Sequence, residues 1–432
     1  MKNDLLQGAK RVAGILRDAG HQAYFAGGCV RDDLLGRVPK DYDIVSDARP
    51  EQVVALFRRT IEVGAAFGVV KVLMGHDRDY EVATFRTEGT YTDGRRPDEV
   101  VYSDDWREDV ARRDFTINAL LMDPVSGDIL DAVGGRKDLA AGLIRAVGTA
   151  ERRFAEDKLR MLRAVRFAAR FGFEIEAATR RAIEQHAGEL SVVSKERIVA
   201  ELEGIFRGRA GHGFEQLAAL GLLSPALAYV QGDAQPALVE RMQRFEKLCE
   251  RLNEGPARMV AWTLTIDGLS RKAAEAALRG MKLSREVIRS ALYLLDALGE
   301  FSTDSDNPQE AVGPFSSELE AVNEPSIASP ERAGIMRLAA NSEASMTEVF
   351  FAVHQGDDGT IVRRFRRARA DLAARPLPPR PLVTGGDLQT LGMRPGRAFK
   401  DILRAVDDAV LERRVTTRDE GLAWVQRYLT AG

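Results

Sequence analysis

The stretch GGCVRDDLLGRVPKDYDIVS, residues 27–46, decides the fold that we predict. Its glycine pair ends the run YFAGG (24–28), and its last residues belong to the run YDIVS (42–46). Both runs are predicted as short strands. The segment ARPEQVVALFRR (48–59) follows and has a helical pattern. Strands and helices that alternate over so short a distance indicate a domain that mixes the two.

The predicted helix over 48–59 takes Ser46 or Asp47 as its cap and has Pro50 in its first turn. The segment TEGTYTDGRRPDE (87–99) is polar and charged, so we predict a flexible loop there. Two runs rich in β-branched residues are predicted as further strands: FGVVKVLM (67–74) and YEVATF (80–85).

From residue 150 onward the apolar residues recur at helical spacing. The segment 302–330 is rich in acidic residues, serine and proline and is predicted as a long loop, and PLPPRP (376–381) as a stiff linker. The last helix begins with Thr417 and Glu420 at capping-box spacing. We therefore predict an α+β protein whose N-terminal part has a mixed sheet with helices, followed by helices alone.

Composition excludes several classes of protein. Hydrophobic residues make up 45% of the 432 residues, which is enough for a sizeable core. Two cysteines, Cys29 and Cys249, can form neither a disulfide scaffold nor a cysteine-rich zinc site. The net charge of −3 confines any nucleic-acid site to a local basic surface. The N-terminal segment is an amphipathic helix, and no apolar run is long enough for a membrane span, so we expect a cytoplasmic protein.

Asp41 and Asp43 are the candidate metal ligands. They lie two residues apart on a predicted strand, so their carboxylates share one face. Two like charges at that distance repel each other unless a divalent cation lies between them. Magnesium ions bound there can hold the attacking hydroxyl and the triphosphate in phosphoryl transfer. Glu81, on another predicted strand, is the candidate third carboxylate. The alternative is a pair of solvated carboxylates at a strand edge.

Gly27 and Gly28 precede a cation, Arg31, and form a candidate triphosphate cradle. Glycines lack Cβ, so backbone N–H groups can approach a phosphate closely. Arg31 can donate a charge-assisted hydrogen bond to the triphosphate, and Asp32 is predicted to orient it. The alternatives are an ordinary strand-to-helix turn and a surface ion pair between Arg31 and Asp32.

The segment REDVARRDFTINALLMDP (107–124) is interpreted as one wall of a nucleotide pocket. Arg113 would contact a phosphate, although Arg112 is also able to take that role. Asp114 and Asn118 would hydrogen-bond ribose hydroxyls or hold the arginine. The alternative is a salt-bridged helix start with Asp114 as its cap.

The segment ERRFAEDKLRMLRAVRFAARFGF (151–173) suggests base selection. Asp157, Arg160 and Arg163 share one stripe of a predicted helix, and the stripe drifts towards Arg166. A carboxylate accepts a hydrogen bond from the amino group of cytosine or adenine but is repelled by the carbonyl oxygen of uracil or guanine. An arginine can donate to cytosine N3 and O2 or to adenine N1, so Asp157 and Arg160 would select C and A. The alternative is an ion pair on a solvated helix.

Taken in order, these segments resemble the class II tRNA nucleotidyltransferases, the family of bacterial CCA-adding enzymes and poly(A) polymerases within the polymerase-β-type superfamily. GGCVRDDLLG…KDYD resembles the family's metal and triphosphate motif, and RRDFTINAL resembles the motif linked to ribose recognition. EDKLRMLRAVRF resembles the motif that selects C and A. The segments PLVTGGDLQTLGMRPG and TTRDEGLA resemble the family's tail.

The resemblance implies four domains. A polymerase-β-type nucleotidyltransferase head spans 1–145, and a neck with the nucleotide-selecting helix spans 146–210. A helical body spans 211–375 and contains the acidic 302–330 loop. A helical, tRNA-binding tail spans 376–432.

The resemblance also assigns roles to individual residues. Mg²⁺ is implied at Asp41 and Asp43, with Glu81 beside them. Nucleotide contacts are implied for Gly28, Arg31 and Arg113, base reading for Asp157 and Arg160, and further pocket contacts for Arg163 and Arg166.

The implied activity is Mg²⁺-dependent, template-independent addition of CCA, C or A to the 3′ end of tRNA from CTP and ATP. The segment 87–97 corresponds to a loop linked to the switch from C to A addition. The segment 362–380 holds seven arginines and one aspartate and is a candidate grip on tRNA phosphates, with a solvated helix as the alternative. The alternative functions are an A-adding enzyme, a poly(A) polymerase, or a catalytically silent RNA-binding protein. The sequence indicates no protein partner.

Overall fold

The computed structural model describes residues 2–64, 68–74, 78–87, 101–248, 254–301, 330–340, 344–356 and 359–430. The chain divides into two compact units, Met1–Val239 and Glu240–Gly432. The first unit contains a mixed sheet and helices, and the described part of the second is helical. The predicted fold class is confirmed, whereas the division into four domains stays a prediction.

A seven-stranded mixed sheet organises the start of the first unit, in the order β3-β4-β5-β2-β1-β6-β7. The pair β2 and β5 is parallel, and the other neighbouring pairs are antiparallel. The strands are β1 (Ala23–Ala26), β2 (Asp43–Ser46), β3 (Thr60–Gly64), β4 (Val69–Met74), β5 (Arg78–Thr84), β6 (Leu121–Met122) and β7 (Ile129–Leu130). A small parallel pair follows, β8 (Leu143–Ile144) and β9 (Glu174–Ile175).

Helices cover the sheet and continue beyond it. Those near the sheet are α1 (Lys2–Asp18), α2 (Gly28–Leu34), α3 (Pro50–Leu56), α4 (Trp106–Ala111) and α5 (Gly135–Ala140), with a 3₁₀ turn at Thr116–Asn118. The following ones are α6 (Ala150–Glu156), α7 (Arg160–Phe171), α8 (Ala177–His186), α9 (Lys195–Phe206), α10 (Ala210–Ala219), α11 (Leu223–Ala226) and α12 (Ala234–Leu248), with a second 3₁₀ turn at Ala187–Val192. The predicted amphipathic N-terminal helix is confirmed, because Ala9, Val12 and Leu16 of α1 are fully buried.

The described helices of the second unit are α13 (Glu254–Ile266), α14 (Arg271–Gly280), α15 (Arg285–Phe301), α16 (Pro330–Ala339), α17 (Ala344–Gln355), α18 (Thr360–Ala374), α19 (Gly385–Thr390), α20 (Arg397–Leu411) and α21 (Arg418–Thr430). No helix within the described ranges is both long enough and apolar enough to cross a membrane. The capping box of α21 is confirmed, since Thr417 Oγ1 accepts from Glu420 N–H and Glu420 Oε2 accepts from Thr417 N–H.

The predicted cap of α3 is wrong. Arg49, and not Ser46 or Asp47, precedes the first residue of α3, and its N–H donates to Gln52 Oε1 at 2.8 Å. The hydroxyl of Ser46 instead donates to Gln22 O at 2.5 Å, and Asp47 accepts from Gln22 N–H. Both candidate caps are therefore used to tie β2 to the residues before β1.

The predicted strands are confirmed within one or two residues as β1, β2, β4 and β5, whereas β3 and the two-residue strands β6, β7, β8 and β9 were not predicted. Most of the predicted loop over 87–99 and all but the last residue of the 302–330 loop lie outside the described residues. The linker 376–381 contains neither helix nor strand, as predicted, and falls between α18 and α19.

Candidate active site

Asp43, at the start of β2, has two other carboxylates near enough for their charges to act on it. The parallel register pairs Ile44 with Val82, so Asp43 lies level with Glu81 on β5. Asp41 precedes the strand, which begins at Asp43, so the prediction of both aspartates on one strand is wrong for Asp41. Asp43 keeps an exposed surface, but partial desolvation by the surrounding protein and the charges of Asp41 and Glu81 raise its pKa to about 6. The negative charge here is only partly compensated.

Cations near these carboxylates lie at one edge of the group. Lys71 on β4 is the partner of Glu81 in the antiparallel register, and its Nζ lies 3.3 Å from Glu81 Oε1. The same Nζ is 2.8 Å from Asp79 Oδ2, so Glu81 shares its cation. Among the described residues, no three His, Cys, Asp or Glu side chains are grouped closely enough to hold a metal ion alone. A cation here would need ligands from the substrate as well.

Gly27 occupies a backbone conformation that glycine favours. It precedes α2 with φ 70° and ψ −119°, and a Cβ atom there would lie 3.0 Å from Arg113 Nη1. Its own N–H donates to Leu120 O at 3.2 Å. Gly28 begins α2 without a positive φ, and a Cβ there would meet nothing closer than 3.7 Å. Gly27 thus leaves room for the guanidinium of Arg113.

Arg31 is buried, with only 3% of its surface exposed. Its Nε and Nη2 donate to Asp32 Oδ1 at 2.8 and 2.6 Å, so Asp32 orients it as predicted. Its Nη1 donates to Asn118 Oδ1. The guanidinium carbon lies 5.2 Å from the ring centre of Phe167 and 4.6 Å from that of Phe171. The cation–π contacts tie α2 to α7, and the hydrogen bond to Asn118 ties α2 to the first 3₁₀ turn.

Arg112 and Arg113 share one fully buried carboxylate, that of Asp109 on α4. Arg112 Nε donates to Asp109 Oδ1 at 2.9 Å, and Arg113 Nη2 donates to Oδ2 at 3.0 Å. Burial by itself raises the pKa of Asp109, but the charges of the two arginines lower it on balance. Asp109 was not predicted from the sequence, although its spacing of three and four from the arginines on a helical segment was the available signal.

Asp114 and Asn118 hold arginines, which was one of the two roles considered for them. Asp114 Oδ2 accepts from Arg163 Nε and Nη2 at 2.9 and 2.6 Å, and Asp114 Oδ1 accepts from Asn118 Nδ2 at 3.0 Å. Burial raises the pKa of Asp114, but the charge of Arg163 and the hydrogen bonds lower it to about 2. The alternative of Asp114 as a helix cap is wrong, because Phe115 precedes the 3₁₀ turn.

Asp157 and Arg160 do not lie on one helix, contrary to the prediction. Asp157 follows the last residue of α6 in an extended conformation, and α7 begins at Arg160. Asp157 Oδ1 accepts from Leu159 N–H at 3.1 Å, while Oδ2 accepts from Arg197 Nη2 at 2.6 Å. The side chain of Asp157 therefore starts a turn and pairs with α9, and the predicted ion pair along a helix is also wrong.

The guanidinium of Arg160 is fixed by residues outside the predicted pair. Its Nη1 donates to Glu156 Oε2 at 2.7 Å and to Arg153 O at 3.1 Å. Its Nη2 donates to Arg112 O at 3.1 Å, which brings the second and third motifs together. Glu156, one residue before Asp157, was not predicted from the sequence either, and its i,i+4 spacing to Arg160 was the signal for it.

Arg163 and Arg166 face the same acid on α9. Arg166 Nε donates to Glu201 Oε2 at 2.5 Å, and Arg163 Nη1 lies 3.8 Å from Glu201 Oε1. The guanidinium carbon of Arg166 lies 4.2 Å from the ring centre of Phe167. Glu201 was also missed, and no short-range spacing connects it to these arginines.

Comparisons with known proteins agree with this architecture. Residues 23–145 match the family model of the poly A polymerase head domain. Residues 172–231 match the model described as the probable RNA and SrmB-binding site of polymerase A. Two relatives are named CCA-adding enzyme. That of Leuconostoc mesenteroides is 41% identical over 280 residues, covering 64% of this chain and 67% of its own. That of Bacillus subtilis is 42% identical over 296 residues, covering 66% and 70%.

A solved structure extends the likeness over nearly the whole chain. The crystal structure of the Bacillus stearothermophilus CCA-adding enzyme in complex with CTP covers 98% of both chains, with a TM-score of 0.73 and 30% identity. The Thermotoga maritima CCA-adding enzyme complexed with tRNA, at 19% identity and a TM-score of 0.67, shares the fold. The sequence and structural likeness agree, and this chain belongs to the family of class II tRNA nucleotidyltransferases and poly(A) polymerases and is a nucleotidyltransferase.

Proposed function

We propose that this nucleotidyltransferase completes the 3′ end of tRNA by adding C, C and A from CTP and ATP without a nucleic-acid template. The relatives from Leuconostoc mesenteroides and Bacillus subtilis are both named CCA-adding enzyme. The Bacillus stearothermophilus enzyme, whose structure covers 98% of this chain, was solved with CTP. These names support the addition of C and A, with CTP as one of the substrates.

The observation that carries the proposal is that the charges of Asp41 and Glu81 act on Asp43, which pairs with Ala26, the residue before Gly27. The charges of Asp41 and Glu81 both act on Asp43, and together with its desolvation they hold its pKa at about 6. A site that concentrates negative charge at an exposed strand start suits a divalent cation. The reaction it serves is attack of the RNA 3′ hydroxyl on the α-phosphate, with pyrophosphate as the leaving group.

The residues present fit a magnesium site. Mg²⁺ usually takes one or two protein carboxylates and completes its shell with water and substrate phosphates, so Asp41 and Asp43 suffice as protein ligands. Glu81 lies at the level of Asp43 and would add to the negative field. When bound, the ion would neutralise charge on the triphosphate and orient the α-phosphate.

The protein's own part is binding and orientation. Arg113 lies against Gly27 at the carboxylate edge, so its guanidinium is placed to meet the triphosphate. Arg31 and Arg113 both have all three guanidinium nitrogens bonded inside the protein. Only 4% of the Arg31 side chain is exposed, against 18% for Arg113, so we assign Arg31 to holding Asn118 and Asp32 in place. Asp157 and Arg160 would read the base, as an acceptor for the exocyclic amino group and a donor to the ring nitrogen.

The acceptor and the location complete the proposal. We assign part of the binding of tRNA phosphates to the arginines of α18. The acceptor tRNA would be recognised largely by its shape. We also retain the cytoplasm as the site of the reaction.

The decisive experiment uses three tRNAs that end before CC, after CC and after CCA, each incubated with one labelled nucleoside triphosphate and Mg²⁺. We expect C to be added to the first, A to the second, and neither to the third. Addition of A alone, or of many A residues to the third, would identify an A-adding enzyme or a poly(A) polymerase instead. No incorporation with any substrate would leave only an RNA-binding protein.

A further inference from the structure

A cleft, here called the α1–α3 cleft, opens near the C-terminal ends of α1 and α3, beside the end of β4. Its apolar wall consists of Ile15, Leu56, Phe57, Leu73 and Met74. Phe57 is buried and the other four side chains are half-buried, so solvent reaches this wall. The cleft has a volume of about 440 Å³, which lies in the range of small-molecule sites in proteins. It therefore suits a small molecule with an apolar body.

Two arginines that follow α3, Arg58 and Arg59, complete the lining of the cleft. Both are exposed, and neither guanidinium forms an ion pair in the part of the chain that the structure describes. The backbone of Arg59 is fixed, because its carbonyl oxygen accepts a hydrogen bond from Leu73 N–H at 3.0 Å. The donors of a guanidinium match the geometry of a carboxylate or a phosphate. The α1–α3 cleft thus combines an apolar wall with two positive charges.

The α1–α3 cleft is separate from the candidate metal ligands. The hydroxyl of Tyr80 on β5 donates to Leu5 O of α1 at 3.2 Å, so Tyr80 faces α1. Met74 shares this face, because it lies two residues after Val72, the register partner of Tyr80. Glu81, the residue after Tyr80, points to the opposite face of the sheet. A ligand under α1 would therefore not occupy the nucleotide site.

We propose that the α1–α3 cleft binds a small amphipathic anion, a molecule with an apolar body and one carboxylate or phosphate group. The apolar body would lie against Leu56, Leu73 and Met74, and the anionic group would accept hydrogen bonds from Arg58 and Arg59. Both parts are needed, because solvent screens the attraction between a free anion and exposed arginines. A ligand that contacts α1, α3 and β4 together stabilises the folded protein.

The test measures binding of decanoate and of decyl phosphate to the full chain by titration calorimetry and by the shift in melting temperature. Both probes are kept below the concentrations at which they form micelles. Decanol has the same apolar chain without the charge, whereas acetate and inorganic phosphate have the charge without the chain. These three comparison ligands separate the contribution of the apolar wall from that of the arginines.

Two sets of variants locate the bound probe. Arg58→Gln combined with Arg59→Gln removes the two positive charges of the cleft. Arg136→Gln combined with Arg181→Gln is the matched control, because it removes two exposed arginines from α5 and α8 of the same unit.

Leu56→Gln and Met74→Gln test the apolar wall. Both residues are half-buried, so a polar side chain of similar length leaves the core filled. Two variants are made so that the measurement survives if one of them fails to fold.

We expect decanoate and decyl phosphate to bind the wild-type protein and to raise its melting temperature. The double variant of Arg58 and Arg59 should bind both probes at least about tenfold more weakly, because charge-assisted hydrogen bonds are lost. Decanol should bind the wild-type protein and this double variant equally weakly. Leu56→Gln or Met74→Gln should weaken binding of both probes, and the control double variant should bind them as the wild-type protein does.

The ratio of the two probe affinities identifies the preferred anionic group. The inference is overturned if decanol binds the wild-type protein as tightly as decanoate, or if the control double variant loses as much affinity as the double variant of the cleft. Displacement of decanoate by an equal concentration of CTP with Mg²⁺ would place the probe in the nucleotide site and would also overturn it. The absence of saturable binding of either probe to the wild-type protein has the same consequence.

Discussion

The carboxylate of Asp114 accepts two hydrogen bonds from the guanidinium of Arg163, at 2.9 and 2.6 Å, and so joins the residues before the first 3₁₀ turn to α7. Asn118 donates to the other oxygen of Asp114 and accepts from Arg31. Arg31 in turn donates to Asp32. One chain of charged and polar side chains therefore connects the three segments that the sequence singled out, and most of it is buried.

This relationship predicts acid sensitivity with a definite sign. The pKa of Asp114 is lowered to about 2 in the folded protein, below its ordinary value of 3.8, so the folded state binds the proton more weakly than the unfolded chain. Asp114 thus stabilises the folded protein by about 2 kcal/mol, and the full contribution is present at pH values above the pKa of Asp114 in the unfolded chain. That contribution is lost as the pH falls towards 2.

The measurement is the difference in unfolding free energy between the wild-type protein and Asp114→Asn, taken from urea unfolding at pH 7, 4 and 3. The stability difference should shrink on acidification, and about half of the Asp114 contribution should be gone at pH 3. A stability difference that stays constant between pH 7 and pH 3 would contradict the assignment.

Replacement of Asp109 should destabilise the head strongly. Asp109→Ala leaves the guanidinium groups of Arg112 and Arg113 without their shared, fully buried partner. Breaking a buried ion pair by removing one side typically costs about 3–5 kcal/mol. The exposed pair between Arg107 and Asp105 gives the matched control, because Arg107→Ala should cost less than about 1 kcal/mol.

The fluorescence of Trp106, which begins α4, reports on this region directly. Unfolding is followed in a background with Trp262→Phe and Trp424→Phe, so that only the indole of Trp106 contributes. Equal urea midpoints for the Asp109 and Arg107 variants would show that the buried carboxylate does not hold this part of the head.

Replacement by alanine should have different effects at the two glycines of the candidate triphosphate cradle. Gly27→Ala forces a side chain into a positive φ and places Cβ 3.0 Å from Arg113 Nη1, so we expect a loss of about 1–3 kcal/mol and a higher KM for the nucleotide. Gly28→Ala keeps an ordinary φ and places Cβ only in van der Waals contact, 3.7 Å from Arg31 Nη2, so it should cost no stability. Calorimetric melting of both variants checks this, and a Gly28 variant as unstable as the Gly27 variant would refute it.

Removal of either candidate ligand should abolish catalysis without harming the fold. Asp41→Ala and Asp43→Ala each take a charge out of a mutually repelling group, so the melting temperature should stay the same or rise. A metal ion at the triphosphate lowers the activation barrier by several kcal/mol. Loss of the ion should therefore reduce kcat/KM by more than about a thousandfold. Asp79→Ala, which removes a neighbouring carboxylate paired with Lys71, is the control. Turnover that persists in the Asp41 or Asp43 variant would remove that residue from the metal site.

Local patterns were sufficient for β1, β2, β4 and β5 and for the placement of Asp43 and Glu81 on strands. The runs around Asp43 and Glu81 have the β-branched composition of strands, and the parallel register then brings the two residues level. The error at Asp157 has a physical cause. The apolar period continues through residues 157–159, but the Asp157 side chain bonds Leu159 N–H and competes with helix formation there.

Pairings between distant residues could not be predicted in this way. Arg197 lies 40 residues from Asp157, and Glu201 lies 35 from Arg166. Only the packing of α9 on α7 brings them together, and no short-range spacing encodes it. Asp109 is different, because its spacing to Arg112 and Arg113 was visible in the sequence and its burial was not.

The arginines of α18 differ in how far they are exposed, and the last prediction follows from that difference. Arg366 and Arg369 donate to the two oxygens of Glu348 at 2.7 and 2.6 Å, so their charges are partly balanced inside the second unit. Arg363 and Arg367 are exposed on the same helix. If α18 grips tRNA, the exposed pair should supply most of its hydrogen bonds to phosphates.

Arg363→Gln combined with Arg367→Gln should weaken tRNA binding at low salt. The slope of the logarithm of the binding constant against the logarithm of the salt concentration should also become less steep. The change should be about one for each phosphate that is no longer neutralised, because fewer counterions are released. Arg279→Gln on α14, which removes an exposed arginine paired with Glu275, serves as the control for overall charge. Equal slopes for the wild-type protein and the double variant would place the phosphate-binding residues on another surface. An arginine that neutralises a phosphate sets part of the slope whatever the sequence of the RNA.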